Sequence, residues 1–348
     1  MKKNAIYKIV PSCELVIGIA FSALYDLDRF RLVRFESAFV PIAEEMKNGG
    51  LSLKDLEGLK PIIREKVEEF VDRLLIEDML YVDNDLHNPP FKTVSDAWDP
   101  PNEIINCIID VAEKVPDWDE LVSQLEELKC EALQIRCYSN RIDLDAAASI
   151  LRTFHGSSVS HVELILKSSN DIDEGRLRKL FDDFPALVSV MIHSSDRNAQ
   201  LELTSDDLPI QRVLIWQKKP LLSEKQCGVV NENMMDRPSP KLCGEKKNFQ
   251  GCLNRKVSIR SDGQMCNCPS LKKNYGTNLS QLADVVRSKS FQEVWHIKND
   301  MLDVCKNCEF RYVCTGCRAY LESPTSLKKP AKCRYDPTSG TWEEALRS

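Results

Sequence analysis

The sequence predicts an α/β protein of several domains, and three observations support this fold class. Strand-like and helix-like runs alternate between residues 103 and 217. Before that region, a few strands are followed by three helices, and after it ten of the fourteen cysteines crowd into residues 227–333. We therefore predict four segments along the chain: an N-terminal domain (1–84), a proline-rich linker (85–102), a middle α/β domain (103–226) and a cysteine-rich C-terminal domain (227–348).

The N-terminal domain is predicted to be a winged-helix-like α+β unit. β-prone runs cover residues 7–10, 15–21, 23–27 and 30–35. A first helix is indicated by the spacing of Phe39, Ile42, Ala43 and Met46, and it ends at the two glycines 49 and 50. A capping-box-like start at residues 52–55 predicts a second short helix, and a third follows at 63–79 before a short strand at 80–82.

The middle domain shows the alternation that is typical of βαβ units. Strands that alternate with helices of this length favour parallel pairing through crossover connections. Only about five strands are visible, so we expect a partial (β/α) barrel or an open parallel sheet. The predicted strands are 104–111, 132–138, 162–166, 187–193 and 212–217, and the predicted helices are 117–129, 143–154 and 173–184.

Charge and hydropathy exclude several classes of protein. The chain has 47 basic and 53 acidic residues, a net charge of −6, which argues against a nucleic-acid-binding protein because such proteins usually carry a basic surplus. No apolar run approaches the ~20 residues of a membrane span, and the N-terminus does not resemble a signal peptide. We therefore expect a cytoplasmic protein without nucleic-acid or membrane partners.

The cysteine spacing in the C-terminal domain indicates metal ligands. Two CxxC pairs, Cys305 with Cys308 and Cys314 with Cys317, are followed by Cys333. A tight CxxC turn directs both thiolates to one side, and thiolates favour zinc or iron–sulfur clusters over hard cations. Upstream lie four further candidates, namely Cys243, Cys252, Cys266 and Cys268. A set of unrelated buried cysteines is the alternative, and we favour it for Cys130 and Cys137 of the middle domain.

This spacing resembles the SPASM domain of peptide-modifying radical-SAM enzymes. Gly263 and Cys268 match its Gly-x4-Cys motif, and Cys252 matches the preceding cysteine. The resemblance implies one or two [4Fe-4S] clusters, with Cys266 or the surplus Cys227 as a possible substitute ligand. Carried over by position, the first cluster takes Cys243, Cys252, Cys268 and Cys317, and the second takes Cys305, Cys308, Cys314 and Cys333.

The middle domain departs from the radical-SAM pattern. Radical-SAM enzymes carry Cys-x3-Cys-x2-Cys after the first barrel strand, whereas residues 112–118 contain no cysteine. The resemblance therefore implies a degenerate radical-SAM barrel, and we expect no cleavage of S-adenosylmethionine. A radical-SAM enzyme with its core cysteines elsewhere in the chain is a weaker alternative.

The N-terminal domain resembles the leader-peptide recognition element of RiPP maturation proteins, which act on ribosomally made, post-translationally modified peptides. That element binds a leader peptide as an added strand beside its third strand and under its third helix, a form of β-augmentation. The residues that this resemblance places at the peptide are Arg31, Leu32, Val33, Arg34, Phe35, Lys66, Phe70 and Arg73.

Together the segments resemble the SPASM-domain maturases of the grasp-with-spasm peptide systems. The resemblance implies a precursor peptide and an ATP-grasp ligase as partners, and the sequence itself shows no Gly-rich phosphate loop. A zinc-stabilised adaptor without catalysis, which presents the leader peptide to a partner enzyme, is the alternative interpretation. Whether the chain itself is catalytic is left open by the sequence.

Overall fold

The computed structural model describes residues 5–52, 54–83, 95, 100–112, 114–203, 211–323 and 326–343. Most of the predicted linker 85–102 and the predicted boundary at residue 84 lie outside these ranges. The chain forms two compact units. Unit 1 comprises Met1–Trp98, Val229–Gly251 and Ile297–Ser348, and unit 2 comprises Asp99–Gly228 and Cys252–His296. Residues of the predicted C-terminal domain therefore occur in both units, and the four-segment division stays a prediction.

The first five strands and two helices belong to unit 1, and the next six strands and three helices belong to unit 2. The former are β1 (Ile6–Ile9), β2 (Cys13–Val16), β3 (Phe21–Asp26), β4 (Arg31–Glu36), α1 (Val40–Asn48), α2 (Pro61–Ile76) and β5 (Leu80–Asp83). The latter are β6 (Asn106–Val111), α3 (Trp118–Glu127), β7 (Ala132–Cys137), α4 (Leu144–Thr153), β8 (His161–Lys167), α5 (Glu174–Asp183), β9 (Leu187–His193), β10 (Ala199–Leu203) and β11 (Arg212–Gln217).

The rest of the chain has shorter elements. They are α6 (Pro240–Asn248), β12 (Lys256–Ile259), β13 (Met265–Cys266), α7 (Leu282–Arg287), α8 (Lys289–Gln292), β14 (Leu321–Ser323), β15 (Ser326–Pro330), β16 (Tyr335–Asp336) and β17 (Thr341–Trp342). The sequence pattern predicts a single helix near 279–297, but the chain is extended at Ser288 (ψ 140°) and two helices form instead. The Ser288 side chain then caps α8 by accepting from the N–H of Phe291.

Unit 1 contains a three-stranded antiparallel sheet in the order β2-β3-β4. Because side chains alternate across a strand, Leu24, Val33 and Phe35 face an apolar core that also contains residues of α1 and α2. On the opposite face, Ala23 and Tyr25 pack in a second apolar cluster. That cluster takes in C-terminal residues, including Cys243, Phe310, Val313 and Tyr335. Both faces of the sheet are therefore covered within unit 1.

The turns of this sheet explain two departures from the predicted strands. The expected strand 15–21 breaks after Val16, because the chain turns so tightly at Gly18 that a Cβ there would lie 2.2 Å from the Phe21 carbonyl oxygen. The expected edge run 30–35 begins one residue later, since Phe30 lies in the turn with a φ of 55°. The Asp26 carboxylate holds that turn by accepting from the main-chain N–H groups of Asp28 and Arg29.

Unit 2 is an α/β unit built on a mixed eight-stranded sheet, in the order β10-β11-β9-β8-β7-β6-β12-β13. This confirms the α/β class. The strands from β11 to β12 pair in parallel, whereas β10 and β13 add to the ends in antiparallel fashion. Asp117, Asp143 and Asp173 cap the helices α3, α4 and α5. The sequence pattern missed β10, because its side chains are exposed or half-buried and form no apolar run.

The apolar core of unit 2 contains Cys137, the last residue of β7, and Cys130, which lies just before that strand. Cys130 and Cys137 are both fully buried and lie in one apolar cluster with Cys107. Burial raises the pKa of both thiols to about 12, which suits packed core residues.

Among the described residues, no helix is long and apolar enough to cross a membrane.

Candidate peptide groove and thiol sites

An open groove lies between the edge strand β4 and helix α2 of unit 1. Its volume is about 260 Å³, and its lining consists of Phe35, Glu36, Phe39, Lys66, Glu69, Phe70 and Arg73. Four of the predicted peptide-binding residues are therefore in one groove: Phe35, Lys66, Phe70 and Arg73. The phenyl rings form its apolar floor, with Phe70 stacked on Phe39 at 4.7 Å between ring centroids and tilted against Phe35 at 5.1 Å. Lys66, Glu69 and Arg73 are exposed and give the rim both signs of charge.

The main chain of β4 offers polar groups to this groove. The Arg73 guanidinium donates a hydrogen bond to the Arg34 carbonyl oxygen at 2.9 Å, so that carbonyl points away from β3. Main-chain groups of an antiparallel edge strand alternate between the paired side and the open side. We infer that Leu32, Arg34 and Glu36 direct their N–H and C=O groups outward, as a template for an added strand.

The side chains of Arg31 and Arg34 have partners within unit 1. Arg34 donates to the buried Glu309 carboxylate from Nε at 3.0 Å and to the Tyr335 hydroxyl from Nη2 at 2.8 Å. Arg31 donates to the Glu77 carbonyl oxygen at 2.9 Å. The alternation along β4 predicts that Leu32 and Arg34 lie on a face that contacts a peptide, but that face packs on the cysteine-rich segment. In the structure, the contacts offered at this edge are therefore those of the groove and of the β4 main chain.

Four cysteines line a single cavity in unit 1. Cys305, Cys308, Cys314 and Cys333 line a small cavity of about 30 Å³. The other described lining is mainly apolar or aromatic and includes Val230, Phe310, Tyr335 and Trp342. A 3-10 turn at Cys305–Asn307 connects the two cysteines of the first CxxC pair. The Cys308 sulfur accepts from the N–H of Phe310 at 3.4 Å. The structure therefore brings together the residues assigned to the second cluster.

Burial holds the thiols of this cavity in the neutral form. Burial raises the pKa of Cys305 to about 12 and that of Cys314 to about 11, and it also raises the pKa of Cys308. A metal centre that binds such thiols displaces their protons, because the positive charge of the metal stabilises the thiolates. In the described part of the chain, no three Cys, His, Asp or Glu side chains converge closely enough to hold one metal ion.

The residues assigned to the first cluster do not share one unit. Cys243 and Cys317 belong to unit 1, whereas Cys252 and Cys268 belong to unit 2. Cys243 lies on α6, is 0% exposed, and packs in the apolar cluster behind the β2-β3-β4 sheet. Its thiol donates to the Tyr312 carbonyl oxygen at 3.8 Å. Cys317 is half-buried.

A second group of thiols lies in unit 2 around Lys256. The Lys256 ammonium donates to the Cys252 sulfur at 3.6 Å. The pKa of Lys256 is raised by the nearby thiols of Cys252, Cys268 and Cys227, against the effect of its own burial. Cys266 is buried and donates to the Ser258 carbonyl oxygen at 3.6 Å. The sequence singled out these cysteines but gave no signal for Lys256.

A polar cavity lies in unit 2 at the carboxyl ends of β6 and β12. Its volume is about 480 Å³, and the segment after β6 contributes Lys114, Val115, Pro116 and Asp117. This is where the radical-SAM pattern calls for three clustered cysteines, yet none of the described lining residues is a cysteine. Asp110, on the β6 side of the cavity, is held by a bidentate contact from Arg136 at 2.6 and 2.9 Å.

Comparisons with known proteins give distant structural neighbours. No family model matches the chain, and no curated protein matches its sequence. Three crystal structures of SuiB from Streptococcus suis match: SuiB itself (11% identity, TM-score 0.30), SuiB bound to S-adenosylmethionine (11%, 0.31) and SuiB bound to the precursor peptide SuiA (10%, 0.29). The matches cover 94%, 95% and 95% of this chain and all of each SuiB chain.

Proposed function

We propose that this protein takes part in RiPP maturation by binding a precursor peptide in the groove between β4 and α2 and by carrying [4Fe-4S] clusters. The observation that carries the proposal is a juxtaposition within unit 1. One sheet presents an open edge beside an apolar groove, and four thiols surround one cavity near the opposite face of that sheet.

The groove suits a peptide that binds as an added strand. Main-chain hydrogen bonds to the outward groups of β4 would supply affinity, and apolar side chains of the peptide would contact Phe35, Phe39 and Phe70. Lys66 and Arg73 on the rim suit a peptide carboxylate, whereas Glu69 suits a cation. Because the Arg73 guanidinium donates a hydrogen bond to the Arg34 carbonyl oxygen, we expect a bound peptide to displace the Arg73 side chain.

The four-thiol cavity suits an iron–sulfur cluster. A [4Fe-4S] cluster takes four cysteine thiolates, and the four cysteines of the cavity supply them. Bound there, the cluster would supply electron transfer or a site for ligation, and the surrounding aromatic side chains would exclude water. We propose the remaining cysteines for a first cluster and an ATP-grasp ligase as the partner enzyme, both from the resemblance of the cysteine spacing.

Replacement of Glu36 by proline tests the peptide site in the full-length chain. Glu36 is exposed and has a φ of −61° and a ψ of 134°, so proline fits its backbone and removes one outward N–H. We expect Glu36→Pro to bind a fluorescent leader peptide, encoded near this protein, at least tenfold more weakly than the control Glu36→Ala, about 1.4 kcal/mol. Equal affinities of the two variants, measured by fluorescence anisotropy, would refute peptide binding at the edge of β4.

Analysis of bound metal tests the cluster. Anaerobically purified protein should be brown, absorb near ~400 nm and release iron and sulfide in equal amounts, as a [4Fe-4S] cluster requires. Zinc without sulfide would instead support the adaptor interpretation.

A further inference from the structure

Strand β10 is an open edge of the eight-stranded sheet of unit 2. It pairs with β11 on one side, and among the described residues no strand pairs with its other side. An edge strand presents a row of unpaired main-chain N–H and C=O groups, which is a template for another strand. The opposite edge of the sheet is covered, because Met265 of β13 donates to the Gly276 carbonyl oxygen and accepts from the N–H of Tyr275.

The sequence of β10 lacks the features that usually prevent pairing between sheet edges. Such features are lysines, prolines, β-bulges and very short strands. β10 has 5 residues with the sequence Ala-Gln-Leu-Glu-Leu, in which only Glu202 is charged. Its register with β11 shows no shift, so the strand carries no bulge. A second strand can therefore add along its whole length.

The side chains of β10 alternate between an apolar and a polar face of the sheet. Leu201 and Leu203 are partly buried and pack against the apolar core of unit 2. Ala199 lies on the same face as these leucines, because side chains alternate along a strand. Gln200 and Glu202 are exposed on the other face. A strand that adds to this edge must therefore match an apolar row on one face and a polar row on the other.

β10 is complementary to a second copy of itself. A two-fold axis perpendicular to the sheet makes the two strands antiparallel and pairs residues of the same face. With the axis at Leu201, Ala199 lies opposite Leu203 of the second copy, and Gln200 lies opposite Glu202 of the second copy. The Gln200 amide can then donate to that carboxylate. An axis at Glu202 would instead place two carboxylates directly opposite each other, which destabilises a strand pair.

We propose that β10 is a dimerisation edge, at which two copies of this chain join their unit 2 sheets through antiparallel β10 strands centred on Leu201. Main-chain hydrogen bonds, the contact between Ala199 and Leu203 and the hydrogen bond between Gln200 and Glu202 hold the pair, and symmetry forms each side-chain contact twice. A short strand pair buries little area, so the dimer is weak and its population depends on protein concentration. This inference does not depend on the proposed function in peptide maturation.

Substitutions at Gln200 test both the pairing and its register in the full-length chain. Gln200→Lys places an ammonium opposite the Glu202 carboxylate of the second copy, whereas Gln200→Glu places a like charge there. Gln200 is exposed, so neither variant should disturb folding, which circular dichroism checks. Sedimentation equilibrium over a range of protein concentrations measures the dissociation constant of the dimer. Relative to wild type, we expect Gln200→Lys to lower this constant and Gln200→Glu to raise it, by about fivefold each.

A double variant and the possible outcomes complete the test. Gln200→Glu combined with Glu202→Lys puts opposite charges across the axis again, so it should recover the dimer. A wild type that is monomeric at every concentration would overturn the proposal. A dimer with the same dissociation constant in all variants would also overturn it, because another surface would then hold the two copies. If a monomeric wild type binds a labelled leader peptide and Gln200→Glu changes that affinity, the edge takes a peptide strand and the self-pairing is wrong.

Discussion

Replacement of Arg34 by methionine is expected to destabilise unit 1 strongly. The Glu309 carboxylate is fully buried, and two guanidinium nitrogens of Arg34 contact its Oε1 at 3.0 and 2.8 Å. The same guanidinium lies over the rings of Phe21 and Phe310, at 4.5 and 5.1 Å from their centroids. Methionine keeps much of the aliphatic packing but leaves the carboxylate with the Tyr335 hydroxyl and no cation.

The expected loss in the free energy of unfolding follows from the burial of the Arg34–Glu309 ion pair. Removing one partner of a buried ion pair costs about 3–5 kcal/mol, because the other charge stays buried without compensation. The Arg34 side chain is 28% exposed, so we expect a value near the lower end, about 3 kcal/mol. Glu309→Gln should cost less, since Arg34 keeps some access to water and a hydrogen bond to the Gly340 carbonyl oxygen at 3.1 Å.

Arg64→Met provides the matched control. Arg64 contacts Glu68 at 2.9 Å, a similar distance, but the two side chains are 43% and 35% exposed on α2. Exposed pairs of this kind contribute roughly 0.3–0.5 kcal/mol. The free energy of unfolding would be measured by urea denaturation under anaerobic conditions, with Arg34→Met, Glu309→Gln and the double variant forming a cycle. If Arg34→Met unfolds as Arg64→Met does, the buried pair does not stabilise unit 1.

Two further predictions concern the thiol cavity and the segment after β6. If the four-thiol cavity holds the proposed cluster, Cys308→Ala should remove it and make the segment from residue 297 onward sensitive to trypsin. The reason is that thiolate–metal bonds supply folding free energy to a segment with few regular elements. Equal rates of cleavage for mutant and wild type would count against this. Incubation with dithionite and S-adenosylmethionine should release no 5′-deoxyadenosine above background, since the described lining of the cavity after β6 lacks cysteine, and an enzyme-dependent yield measured by chromatography would refute it.

The α/β class and most elements of unit 2 could be predicted from the sequence pattern. Apolar periodicity encodes a local choice between helix and strand, and the capping aspartates Asp117, Asp143 and Asp173 fix where three helices begin. Cysteine spacing is local as well, and its resemblance to the SPASM domain implies that Cys305, Cys308, Cys314 and Cys333 form one ligand set. The groove residues Lys66, Phe70 and Arg73 followed from resemblance, and they line one groove with Phe35.

Long-range contacts, which the sequence pattern does not encode, determine which side chains already have partners within the protein. Arg34 and Glu309 are 275 residues apart, and no periodicity links them. The resemblance places Leu32 and Arg34 at the peptide, whereas the sheet face on which they lie packs on Phe310, Val313 and Tyr335. Lys256 donates to the Cys252 sulfur, and the Ser270 hydroxyl donates to the Glu224 carbonyl oxygen 46 residues away. Buried charges and apolar surfaces find their partners among residues that are distant in the sequence. A local sequence pattern does not encode such long-range pairs, so it cannot predict them.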